Sequence, residues 1–97
     1  MSKNEILQQL QEKMNEIRKL FSVKKLYIFG SYARNENTSQ SDLDVLVIFS
    51  QKTTFDLYMD LKFYLEELLN LKVDLVTDKA LRPQIQKSIE EEKIDVA

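Results

Sequence analysis

Two aspartates spaced two residues apart lead into a strongly apolar segment of the chain. Asp42 and Asp44 flank Leu43, and the segment continues as Val-Leu-Val-Ile-Phe over residues 45–49. This composition predicts a β-strand, in which residues i and i+2 project from the same face. Two carboxylates held this close repel each other unless a cation neutralises them, and Mg²⁺ is a hard cation that prefers oxygen ligands. The pattern therefore favours a strand that presents a metal-binding pair of carboxylates.

The single glycine of the chain, Gly30, follows a strand-like segment, Leu-Tyr-Ile-Phe, over residues 26–29. Glycine allows a sharp turn and lets a phosphate approach the main chain. We expect Ser31 to cap a following short helix, whose free N–H groups would bind anions, and to offer its hydroxyl to the same phosphate. Taken alone, a Gly-Ser pair after a strand is more often an ordinary turn.

A third carboxylate, Asp74, lies in another short apolar run, residues 73–76. It can complete the cluster if its strand is a neighbour of the strand that carries the first pair. The chain contains no cysteine and no histidine, which removes a thiol nucleophile, the commonest general base and the usual zinc ligand. Carboxylates are left to organise a catalytic metal.

In combination, Gly30-Ser31, the Asp42-Leu43-Asp44 pair and the later Asp74 resemble the polymerase-beta-type nucleotidyltransferase superfamily, in particular its minimal members. The resemblance covers nearly the whole chain. It implies an α/β (α+β) fold, a small mixed β-sheet with helices packed mainly on one side. Larger members carry an added helical domain that holds the acceptor, and we expect a separate protein to supply the acceptor here.

The resemblance also implies a role for each motif residue. Gly30 and Ser31 would hold the β- and γ-phosphates of ATP. Asp42 and Asp44 would bridge two Mg²⁺ ions, and Asp74 would ligate the catalytic metal and help to deprotonate the acceptor hydroxyl. The absence of a Gly-Lys-Ser/Thr pattern argues against a P-loop kinase.

Arg34 has two interpretations that the residues leave equally open. It can reach a triphosphate oxygen, in which case it joins the nucleotide-binding residues, or it can pair with Glu36 or a motif carboxylate and brace the loop. Tyr32 could stack on a base, but an aromatic residue after a glycine turn more often packs against its own strand.

The minimal members that this chain resembles are typically antitoxins paired with a HEPN RNase toxin. The implied reaction is transfer of AMP from ATP to a tyrosine of the toxin. Two alternatives belong to other classes: a non-catalytic antitoxin that masks the toxin by binding, and a catalytic subunit that nucleotidylates a small molecule or an RNA with a separate substrate-binding subunit. Three converging carboxylates argue against a pure mask, which has no use for them.

Length and composition agree with this interpretation. The 97 residues predict one domain, residues 1–97, and the balance of 43% apolar and 31% charged residues favours a soluble globular protein. No stretch reaches the ~18 apolar residues of a membrane span, and the N-terminus does not resemble a signal peptide. We therefore expect a cytoplasmic protein. The formal charge of −2 predicts no long nucleic-acid track.

Apolar periodicity and turn signals predict the elements. Apolar residues at steps of three and four predict a first helix from near Ser2 to Phe21. The further elements are strands at 25–29 and 43–49, a helix at 54–69, a strand at 72–77, a helix from Pro83 to Glu92 and a short edge strand at 94–96.

Overall fold

The computed structural model describes residues 1–96; Ala97, the last residue of the predicted domain, lies outside them. The described chain contains every predicted helix and strand. In order they are α1 (Lys3–Phe21), β1 (Val23–Phe29), α2 (Gly30–Ala33), β2 (Leu43–Phe49), α3 (Phe55–Leu69), β3 (Val73–Thr77), a 3₁₀ turn (Asp78–Ala80), α4 (Pro83–Glu92) and β4 (Ile94–Asp95).

Local signals define where the long helices begin. Ser2 caps α1 in a capping box: its hydroxyl accepts the Glu5 N–H, and the Glu5 carboxylate accepts the Ser2 N–H. Thr54 caps α3 by accepting the Leu57 N–H at 3.1 Å. Pro83 opens α4, where its missing N–H costs no intrahelical bond.

The strands form one mixed sheet in the order β3-β2-β1-β4. β2 runs parallel to β3, while β1 is antiparallel to both β2 and β4. The crossover between β2 and β3 is α3, as parallel strands require a long connection. The predicted mixed sheet is therefore confirmed, and β3 is one of its edges.

α1 and α3 pack on one face of the sheet and form the hydrophobic core with it. Leu43, Val45 and Val47 of β2 are buried in this core. The intervening Asp44 and Leu46 project from the opposite face, because side chains alternate along a strand. The sheet therefore has a helix-covered face and a second face that carries the aspartate, as the predicted fold class requires.

α3 also covers the exposed edge of β3. The Tyr58 hydroxyl donates a hydrogen bond to the Leu75 carbonyl, and the Val73 N–H donates to the Glu66 carboxylate at 3.0 Å. These bonds satisfy main-chain groups that an edge strand leaves unpaired. Among residues 1–96, no helix combines the length and apolarity that crossing a membrane would need.

Candidate active site

Asp44 and Asp74 are direct partners in the parallel pairing of β2 with β3. Each is the second residue of its strand, and the residues on either side of it are buried in the core. Both carboxylates therefore project from the face opposite α1 and α3. The structure brings together the two aspartates that the sequence could place only on separate strands.

The environment of Asp44 opposes its negative charge. Burial and the charges of Asp74 and Asp42 together raise the pKa of Asp44 to about 6, burial being the largest cause. The charge of Arg34 acts in the opposite direction. Without a cation, this site holds a carboxylate that is partly protonated near neutral pH.

The apolar residues on both sides of Asp74 predict a buried strand position for it, and that prediction is wrong. Asp74 is exposed, whereas Asp44 is half-buried. The reason lies in the strand order: β3 is an edge strand, and the second face of the sheet leaves its side chain open to solvent. The third carboxylate of the predicted cluster is therefore more accessible than Asp44 to an incoming molecule.

Asp42 lies just before β2 and is exposed. Its charge acts on Asp44, but the described residues contain no group of three acidic, cysteine or histidine side chains arranged to hold a metal ion. The Asp44–Asp74 pair nevertheless has the donor chemistry that fits Mg²⁺, since it offers carboxylate oxygens only and its repulsion is relieved by a cation. The binding of two ions, with Asp42 as a ligand, stays a prediction.

Gly30 follows β1 directly and has a φ of +74°, a backbone conformation that residues with side chains disfavour. A Cβ atom at Gly30 would overlap with the Oδ2 atom of Asp44 and lie 3.0 Å from its Cγ. The glycine is therefore needed for two reasons, the turn itself and the close approach of the Asp44 carboxylate.

Ser31 does not cap the short helix, and that prediction is wrong. α2 begins at Gly30, so its N-cap is Phe29, which makes no side-chain capping bond. The positive φ of Gly30 turns the chain one residue earlier than expected. Ser31 lies half-buried in the turn, and its carbonyl accepts the Glu36 N–H at 2.8 Å.

Arg34 ends this turn and pairs with two carboxylates. Its Nε lies 3.2 Å from Glu36 Oε2, and its Nη1 lies 2.8 Å from Glu92 Oε2. The two ion pairs raise the pKa of Arg34, the Glu92 bond more than the Glu36 bond. The bracing interpretation of Arg34 is thus confirmed for Glu36, and a phosphate contact stays a prediction.

Glu92 is a site residue that the sequence did not reveal. Its Oε1 accepts the Gly30 N–H at 3.1 Å while its Oε2 holds Arg34. In the sequence it ends a run of three glutamates, which is typical of a solvated helix surface. No local pattern distinguishes it, because its partners lie 58 and 62 positions away.

The loop before Asp42 is held by short-range bonds. The Ser41 hydroxyl accepts the Thr38 N–H at 2.9 Å, and the Ser41 N–H donates to the Thr38 carbonyl at 3.1 Å. These bonds shape the connection that delivers the chain to the start of β2.

The aspartate pair does not line the cavity at the other end of the parallel strands. That cavity, of about 510 Å³, lies where β2 and β3 end, whereas both aspartates lie where these strands begin. It is lined by Phe49, Ser50, Gln51, Lys52, Thr53, Thr77, Asp78 and Lys79. At the candidate site Asp42 and Asp74 are exposed, so this site is open to solvent.

A glycine turn at the end of one strand, set against carboxylates on the next two, is the arrangement implied by the resemblance. A family model described as a nucleotidyltransferase domain matches residues 7–96. The chain belongs to the nucleotidyltransferase family. It is accordingly a nucleotidyltransferase enzyme.

Two curated relatives align with this nucleotidyltransferase over most of their own length. A Methanocaldococcus jannaschii protein, provisionally named a protein adenylyltransferase, is 42% identical over 96 residues, which make up 96% of each chain. The protein adenylyltransferase MntA of Thermococcus cleftensis is 40% identical over 81 residues, covering 84% of this chain and 82% of the relative.

Solved structures agree with the fold. One provisionally described as a minimal nucleotidyltransferase superposes with a TM-score of 0.82 at 33% identity, covering 97% of this chain and 95% of that one. A tri-AMPylated Shewanella oneidensis HEPN toxin in complex with MNT antitoxin contains a chain that matches with a TM-score of 0.68 at 18% identity. That match covers 94% of this nucleotidyltransferase and 71% of that chain, and it shows the fold alone.

Proposed function

We propose that this nucleotidyltransferase is a cytoplasmic, single-domain antitoxin that transfers AMP from ATP to a tyrosine hydroxyl of a partner HEPN RNase toxin. The observation that carries the proposal is the Asp44–Asp74 pair on the face that also holds the Gly30 turn. The names of the relatives support a protein acceptor, and the toxin complex supports its class.

The reaction joins the tyrosine oxygen to the α-phosphorus of ATP. The bond between the α-phosphorus and the bridging oxygen of the β-phosphate breaks, and pyrophosphate leaves. Bound at Asp42, Asp44 and Asp74, Mg²⁺ would supply charge neutralisation for the attacking oxygen and the leaving group. Asp74 would receive the hydroxyl proton, since it is more accessible than Asp44.

The polyphosphate would lie along the turn that begins at Gly30. Ser31 offers its hydroxyl there, and Arg34 has guanidinium N–H groups beyond the two that bind glutamates. The Gly30 N–H itself is bonded to Glu92, so the contribution of this glycine is the space it leaves for Asp44.

An open site favours a macromolecular acceptor. A tyrosine on a protein surface must reach the α-phosphorus while its own chain stays outside, and the exposed Asp74 projects from the face of the sheet opposite α1 and α3, where it is open to such an approach. A small-molecule enzyme would instead need a pocket that encloses its substrate.

The test is to incubate the protein with labelled ATP, Mg²⁺ and the candidate toxin and to measure the mass of the toxin. We expect an AMP-sized addition on a tyrosine, and we expect less than one equivalent of nucleotidyltransferase to inactivate all of the toxin. The toxin should stay inactive after the two proteins are separated. Protection only at equal molar ratio, with no added mass, would identify a mask instead.

Asp74→Asn is the decisive variant, with Asp60→Asn as its control. Both replace an exposed aspartate with its amide, but Asp60 lies on α3, on the other side of the sheet. We expect Asp74→Asn to lose transfer while Asp60→Asn keeps it. Full transfer by Asp74→Asn would refute the role given to that carboxylate.

A further inference from the structure

Glu92 connects two groups at the start of the proposed nucleotide site. One carboxylate oxygen accepts the Gly30 N–H at 3.1 Å, and the other accepts an Arg34 N–H at 2.8 Å. The two oxygens of one carboxylate thus bind the first residue of the α2 turn and the residue that ends it.

We propose that Glu92 is a positioning residue for nucleotide binding: it holds the Gly30 turn and aims the Arg34 guanidinium toward the polyphosphate. The proposal rests on the proposed function only in assuming that a nucleoside triphosphate binds at this turn. It assigns a role to a residue at the end of α4, and none of the motif residues lies on that helix.

The Arg34 side chain would otherwise be poorly fixed. It is 44% exposed, and its second partner, Glu36, is 66% exposed. Glu92 is only 21% exposed, so its ion pair is the less hydrated of the two. A charge-assisted bond from a partly buried carboxylate restrains a long side chain more than a surface pair does.

The position of the Arg34 side chain matters for nucleotide binding at this turn. The Gly30 turn that Arg34 ends lies against the Asp44 carboxylate, and the charge of Arg34 acts on that same carboxylate. The remaining N–H donors of Arg34 can bind phosphate oxygens at that location. Without Glu92, Arg34 would be free to move toward solvent or collapse onto the carboxylates.

Two substitutions separate the two bonds that Glu92 makes. Glu92→Gln keeps an oxygen that can accept the Gly30 N–H but loses the charge that pairs with Arg34. Glu92→Ala loses both partners. Glu91→Gln is the matched control, because Glu91 is the preceding, exposed residue of the same helix.

Calorimetry with Mg²⁺ and an ATP analogue carrying a methylene bridge between the α- and β-phosphorus measures binding without transfer. We expect Glu92→Gln to weaken affinity about 10-fold and Glu91→Gln to leave it unchanged. Because Glu92 acts through Arg34, Glu92→Gln combined with Arg34→Gln should bind no more weakly than Arg34→Gln alone. In turnover, Glu92→Gln should raise KM for ATP while kcat stays within about 2-fold.

Equal affinity of Glu92→Gln and wild type would overturn the proposal. Tighter binding would overturn it as well, since it would show that the carboxylate competes with phosphate for these donors. A further weakening in the double variant would show that Glu92 acts independently of Arg34. The calorimetry contains no toxin, so it tests the role of Glu92 separately. If the analogue binds as expected but the toxin is not modified in the transfer assay, the proposed function is refuted and the role of Glu92 is not.

Discussion

The Asp44 carboxylate occupies the space in which a side chain at Gly30 would begin. The Oδ2 atom of Asp44 would overlap with a Cβ at that position, and the backbone there has a φ of +74°. A side chain added at Gly30 must therefore displace the acidic residue of β2.

Gly30→Ala should lower the free energy of unfolding by about 1 to 3 kcal/mol, because the backbone strain and the overlap with Asp44 act together. It should also abolish transfer by displacing that carboxylate. Urea unfolding and the transfer assay measure the two effects. Ser31→Ala is the control for stability, since it places the same methyl group one residue later; an equally stable Gly30→Ala protein would contradict the geometry.

The contribution of Asp44 to the stability of the metal-free protein should fall as the pH rises from about 4 to about 6. The ordinary pKa of an aspartate is 3.8, and the pKa of Asp44 in the fold is about 6. The folded state therefore holds the Asp44 proton more tightly than the unfolded state does across this interval. This favourable contribution is complete below the lower value and lost above the upper one. After allowance for solvent screening, we expect about 1 to 2 kcal/mol.

Asp44→Asn isolates that effect, because other carboxylates titrate over the same range. In chelator at pH 7, Asp44→Asn should be more stable than wild type, and its advantage should shrink at pH 4.5. Asp60→Asn, on the exposed surface of α3, should show no such trend. Asp44→Asn should nevertheless lose transfer, and an Asp44→Asn protein with full activity would refute the mechanism.

ATP should bind more tightly with Mg²⁺ than in chelator, by about 10-fold or more. Asp42, Asp44 and the exposed Asp74 repel a polyphosphate until cations intervene. Calorimetry with the α,β-methylene analogue is the measurement. Equal or tighter affinity in excess chelator would exclude the metal assignment.

Tyr58→Phe should lower the free energy of unfolding by about 0.5 to 1.5 kcal/mol, since it removes the hydroxyl that donates to the Leu75 carbonyl at the sheet edge. Denaturant unfolding measures the loss. Tyr27→Phe keeps the ring that lies under Lys93 and serves as the control. An unchanged stability in Tyr58→Phe would show that water replaces the hydroxyl at no cost.

Local patterns were sufficient for the elements and for the family motif. The Ser2 capping box, the Thr54 cap and the position of Pro83 each act within one helical turn, so neighbouring residues alone specify them. Gly30, Asp44 and Asp74 could be singled out for a similar reason: their residue types are unusual beside apolar strand segments.

The tertiary structure alone decided how these residues meet. Strand register put Asp44 beside Asp74, edge position left Asp74 exposed, and the end of α4 brought Glu92 to Gly30 and Arg34. No periodicity or spacing in the sequence predicts these contacts, because each depends on the packing of elements that are far apart in the chain. Sequence by itself indicated Gly30, Asp44 and Asp74 as candidate groups, and packing determined their neighbours, their exposure and the raised pKa of Asp44.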